Sequence, residues 1–141
     1  MNTSKSQRIY LSLAGAVALL IGVFLLFDPH AIHASNGISL GNAANELSEV
    51  RAPGAALLVL GALILAGGFA PRMRFTSTVV SAAVYLGYGL GRAVGMGLDG
   101  NPGSGLIVAM VVELALGLGA VHFLRREARG DAAQLAPMAT T

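Results

Sequence analysis

The run "YLSLAGAVALLIGVFLLF", Tyr10 to Phe27, holds no charged residue over 18 positions. A helix of that length crosses a hydrocarbon core about 30 Å thick, because each helical residue advances about 1.5 Å. A membrane strand would alternate apolar and polar residues over about ten positions, and this run does not alternate. The competing reading is a buried helix of a soluble domain, and the rest of the chain weighs against it. Of the 141 residues, 55% are hydrophobic and only 11% are charged, with a mean hydropathy of +0.70. A soluble domain carries about a quarter charged residues, and a chain this short cannot hide so much apolar surface from water.

Three similar runs follow: "APGAALLVLGALILAGGFA" at 52–70, a segment at about 76–98, and "GLIVAMVVELALGLGAVHFL" at 105–124. The expected fold is therefore all-α: an integral membrane four-helix bundle occupying residues 1–129 as one domain. The tail "GDAAQLAPMATT", residues 130–141, reads as disordered. Lys5 and Arg8 precede the first run, Arg72 and Arg74 join the second to the third, and Arg125, Arg126 and Arg129 follow the fourth. The other side holds Arg51 with Asp28, Glu46, Glu49 and Asp99. The positive-inside rule then places both termini in the cytoplasm of a multi-pass protein in the inner (plasma) membrane. A cleavable signal peptide ending near Ala34 is the alternative for the first run. Its apolar stretch is long for such a core, usually about 7 to 15 residues, and intact mass decides between the two.

Between the first two runs, "NAANELSEV" places Ala43, Ala44, Leu47 and Val50 at helical spacing. A helix is expected to start near Asn42, capped by Asn42 or Asn45, and to run into the second span. Pro53 would sit in its first membrane turn or kink it. Glycine is not scattered among the 19 copies. Gly15 and Gly22 lie seven apart, as do Gly54, Gly61 and Gly68, while Gly87, Gly91 and Gly95 lie four apart. These spacings put small residues on one helix face, where backbones in lipid approach closely. Gly54, Gly61, Gly68, Gly87, Gly91 and Gly95 are the expected helix-packing positions.

Little catalytic chemistry is on offer. There is no cysteine, so thiolate metal sites, iron–sulfur clusters and cysteine nucleophiles are excluded. "GLGRAVG" mimics a dinucleotide-binding turn, but such a turn needs a preceding strand. His122 alone cannot form a haem pair across helices. Asp28, His30 and His33 make a D-x-H-x-x-H loop, a pattern common by chance. Few basic residues cluster as nucleic-acid binding requires. No metal, cofactor, catalytic residue or nucleic-acid partner is expected; the lipid bilayer is, with a second copy or another membrane protein as the possible partner.

The charges in costly places remain. Arg92 lies about 9 Å below the outer end of the third span, and Glu113 about 12 Å below the same surface on the fourth. The turn "DGNPGS" joins these spans as a hairpin, so their depths match. Each charge costs about 2.5 to 3.5 kcal/mol near a helix centre. A polar intramembrane cluster of Arg92 and Glu113, with Glu49, Arg51 and Asp99 nearby, is the expected site. Tyr85 and Tyr88 read as packing or interface aromatics.

"ELSEVRAPGAALLVLG", "GYGLGRAVGMGLDGNP" and "VVELALG" resemble the domain of unknown function 4345 family of small bacterial four-helix membrane proteins. The matching positions are Glu49 and Arg51, Gly91 and Arg92, Asp99, Gly100 and Pro102, and Glu113. The resemblance covers roughly residues 10–125. It implies four spans and no activity. Three functions stay open: a structural, accessory or partner-binding membrane protein, which is preferred; a small proton-coupled transporter using the Arg/Glu pair; and a lipid- or quinone-binding membrane enzyme subunit.

Overall fold

The structure, a computed structural model, describes residues 3–135. It consists of α1 (Thr3–Phe27), α2 (Pro29–Ala34), α3 (Ala44–Phe69), a single 3-10 turn at Pro71–Met73, α4 (Arg74–Asp99) and α5 (Ser104–Leu135). No strand occurs among the described residues. Four segments, Ser4–Phe27, Ala44–Phe69, Pro71–Asp99 and Ser104–Gly130, are long and apolar enough to cross a membrane.

Local chemistry sets the breaks between helices. Pro29 disfavours a helical Asp28, which takes φ −137° and caps α2 by accepting from the Ala31 N–H at 3.2 Å. Pro29 then occupies the first turn of α2, where its missing N–H costs nothing. Ala70, before Pro71, is likewise extended and ends α3. Gly100 and Gly103 take φ +95° and +96° around Asn101–Pro102, a conformation that side-chain-bearing residues rarely adopt. They turn α4 sharply into α5.

Three local expectations are corrected. The segment "PHAIHA" folds as α2 rather than loop. α3 begins at Ala44 behind Ala43, with no side-chain cap, so neither Asn42 nor Asn45 serves as one; Pro53 lies inside a continuous helix. α5 continues through Gly130 to Leu135, into the segment expected to be a disordered tail, because the helix simply propagates past one glycine. Residues 136–141 of that tail lie outside the described residues.

The packing has two hairpins. Added Cβ atoms at Gly15 and Gly22 of α1 would lie 2.5 Å and 2.9 Å from the backbone nitrogens of Leu65 and Leu58. Those at Gly54 and Gly61 of α3 would each lie 2.9 Å from the backbone nitrogens of Leu26 and Leu19. Gly68 faces Ser12 and Arg8. The partner number falls as the glycine number rises, so α1 and α3 are antiparallel, backbone against backbone. The second hairpin, α4 with α5, uses Gly89 against Leu114 and Gly117 against Leu86.

On α4 the expected glycine seam is not covered within the chain. Gly87 and Gly91 have no atom within 4 Å of an added Cβ, and Gly95 has only Asp99 Oδ2 at 3.8 Å. Four-residue spacing does place these glycines on one face. Gly89 is two residues, about 200°, away from Gly87 and Gly91, and its face is the one α5 covers.

Hydrogen bonds lock the hairpins together. Gln7 Nε2 donates to Thr78 Oγ1, Ser81 Oγ meets Tyr10 Oη, and Tyr85 Oη donates to the Ala14 carbonyl. All three join residues 71 positions apart, so α1 and α4 run parallel in fixed register. Tyr10 also donates to the Leu116 carbonyl at 2.7 Å, tying in α5; Ser81 is therefore the donor to Tyr10.

The bundle is apolar outside and partly polar inside. Leu13, Leu20, Phe27, Val59, Phe75, Leu90, Val94 and Leu118 are exposed, while Gln7, Ser77, Thr78, Ser81 and Glu113 are buried. The buried apolar core is small: Leu11, Ala14, Ala18, Leu57, Ile64 and Tyr85. One end of the bundle holds the start of α1, the 3-10 turn and the end of α5; the other holds α2 and the 100–103 turn.

Candidate functional site

α4 carries a polar stripe. Arg74, Thr78, Ser81, Tyr85, Tyr88 and Arg92 recur at alternating spacings of four and three, which keeps them on one side of the helix. At the terminal end, Gln7 bridges Thr78 at 3.0 Å and Glu127 Oε1 at 2.7 Å. Glu127 Oε2 and Arg74 Nε are buried there with no partner among the described residues. In the middle, Thr78, Ser81 and Tyr85 are all hydrogen-bonded and closed off by the core.

At the loop end the stripe finishes in an ion pair. Arg92 Nε donates to both oxygens of Glu113, at 2.9 Å and 3.1 Å. The Glu113 side chain is 10% exposed and that of Arg92 33%. α4 and α5 are antiparallel across a four-residue turn, which brings the two residues to one level. Only Nε is used. Arg92 has five N–H donors, and its two Nη groups make no hydrogen bond among the described residues.

The pair walls a cavity of about 180 Å³ rather than a sealed core. α1 contributes Ala18, Ile21 and Leu25; α3 contributes Leu57; α4 contributes Val84, Tyr85, Tyr88 and Arg92; α5 contributes Leu106 and Glu113. α2 and the segment after it close one side with Ile32, His33, Asn36 and Ile38. His33 Nδ1 donates to the Pro29 carbonyl at 2.7 Å, and Asn36 Nδ2 to that of Ile32 at 2.9 Å. Those two polar groups are spent on holding α2 in place. The walls are otherwise apolar; Arg92 Nη and Tyr88 Oη make no hydrogen bond among the described residues, and neither do His33 Nε2 and Asn36 Oδ1.

The other expected members of the cluster stand apart. Arg51 lies beside Leu26, Leu47 and Ser48 on an outer groove, and Glu49 is exposed; neither makes an ion pair among the described residues. Asp99 shares a shallow groove with Arg92 and Met96 but is two helical turns, about 10 Å, further along α4. The five-residue cluster is thus a pair. Asp28 and His33 are taken up by the capping and holding of α2 rather than by one another.

Residues 6–124 match a family described as Domain of unknown function (DUF4345). The chain belongs to that family. No curated protein and no solved structure matches it. Within the DUF4345 chain, Arg92 and Glu113 both fall inside the matched region, as do all four segments long enough to cross a membrane except the last residues of α5 and the first of α1. Sequence reading missed Tyr88 and α2 as cavity walls, although the three-and-four spacing of polar residues along α4 was a visible signal.

Proposed function

We propose that this DUF4345 protein is a multi-pass protein of the inner membrane, with both termini in the cytoplasm, which binds a small apolar ligand as an accessory protein without transforming it. The inverted burial supports insertion in lipid, because apolar side chains cover the outside while hydroxyls and carboxylates bond across helices inside. Orientation rests on the basic residues gathered at the terminal end of the bundle. The observation that carries the ligand reading is the cavity itself: a costly intramembrane ion pair lines accessible space instead of being packed over. The cavity offers no nucleophile beside a base, which favours binding over catalysis. Native mass spectrometry of the chain released from its own membrane tests this. One small molecule per chain is the expected result, and an empty chain the contrary one.

A second reading, a proton-coupled carrier, draws on the two carboxylates of α5, Glu113 and Glu127, placed at opposite ends of the α4 polar stripe. Between them the hydroxyls are donated to carbonyls at Ala14 and Leu116, which interrupts a relay. A proton flux in liposomes that Glu113→Gln abolishes would favour this reading over the first.

A further inference from the structure

The cavity adjoins a second feature. An apolar groove of about 750 Å³ runs along α4 beside α3, between Leu60, Val80 and Ala83 and over Gly87 and Gly91. Val84, Tyr88 and Arg92 line both cavity and groove, so the two spaces lie against the same side chains. The absent side chains at Gly87 and Gly91 make the groove's floor, since nothing within 4 Å would oppose a Cβ there. Arg92 therefore borders a partly enclosed cavity and a shallow apolar groove.

Three physical limits select what fits. The first is size: an apolar cavity of about 150 Å³ holds one benzene, so about 180 Å³ takes little more than a single ring, whose substituents must reach out through the cavity's open side, and it excludes a glycerophosphate head with two chains. The second is charge. Arg92 and Glu113 neutralise one another. An anionic head would bring an uncompensated charge into a low-dielectric site, whereas a neutral oxygen acceptor would not. The third is hydrogen bonding. The Arg92 Nη groups and Tyr88 Oη are donors without partners among the described residues, and they ask for an acceptor such as a ring carbonyl.

Resting on the ligand-binding reading above, we propose that the ligand is a long-chain quinone, its ring in the cavity with a carbonyl facing Arg92 and Tyr88, and its single hydrocarbon tail in the α3–α4 groove. The binding is of the intact quinone; no electron transfer is part of it.

The test uses the full chain in phosphatidylcholine nanodiscs, with empty nanodiscs as the partition control. Probes are decylubiquinone, tailless duroquinone, and dodecanoate as a single-chain anion. Saturable binding of one decylubiquinone per chain is expected. Arg92→Leu with Glu113→Leu removes the Arg92 donors and leaves no lone buried charge, so this variant stays folded and binds decylubiquinone about tenfold or more weakly. Gly87→Leu fills open space in the groove; it weakens decylubiquinone by a similar factor and leaves duroquinone unchanged. Decylubiquinone binding untouched by either variant overturns the assignment. Saturable dodecanoate binding without decylubiquinone binding overturns the quinone while keeping the ligand-binding reading. If no probe binds saturably the quinone falls, and the broader reading falls with it only when native mass spectrometry also finds the chain empty.

Discussion

At the scale of single residues, burial raises the stakes of each polar group. Glu113 is nearly enclosed and has Arg92 as its only charged partner among the described residues. Removing one member leaves the other uncompensated, which costs about 3–5 kcal/mol for buried pairs. Arg92 is a third exposed, so Arg92→Gln or Glu113→Gln should fall at the low end, about 3 kcal/mol, in reversible unfolding by SDS titration in mixed micelles. Replacing both with leucine should recover most of the loss. Two single variants as stable as the parent would mean that the pair does not form in the membrane. Tyr10 works differently, as a neutral tie between α1, α4 and α5. Tyr10→Phe should cost about 0.6 to 1.7 kcal/mol in the same titration, the range of interhelical hydrogen bonds in membranes. A larger loss would show that Tyr10 holds more than these two bonds.

At the scale of helices, glycine has opposite meanings on α1 and α4. The Cβ of Gly15→Ala would sit 2.5 Å from the Leu65 backbone nitrogen, where no side chain can give way. The α1–α3 hairpin must open, at about 1–3 kcal/mol or more for overpacking. Gly91→Ala meets open space. It should be neutral or stabilising by up to about 1 kcal/mol, since alanine is the better helix former. Thermal unfolding of the two variants side by side checks the contrast, and equal losses would remove the distinction between the two glycine faces.

At the scale of the whole molecule, the bundle is two antiparallel hairpins joined through parallel α1 and α4. Seven of the nine Lys and Arg residues gather at the terminal end. A reporter fused after Thr141 should accordingly be active only when it is of a kind that works in the cytoplasm. Activity of a periplasmic-type reporter would invert the proposed orientation while leaving the bundle intact.

Sequence by itself determined the four long apolar helices, because segment length and the scarcity of charge are local properties that any fold of this chain must respect. It also singled out Arg92 and Glu113, since a charge inside an apolar run is visible without coordinates and a short hairpin turn equates their levels. It pointed to the α1–α3 glycine faces through heptad spacing. Only the tertiary structure decided which glycine face of α4 is covered, because spacing shows that a face exists and not what packs against it. Likewise, Glu49, Arg51 and Asp99 separate from the ion pair according to the directions in which α3 and α4 present them. The cavity depends on α2 folding back under the bundle and on the gap left between helices whose closest contacts lie elsewhere. Such a void belongs to no single segment, so no pattern along the chain could announce it.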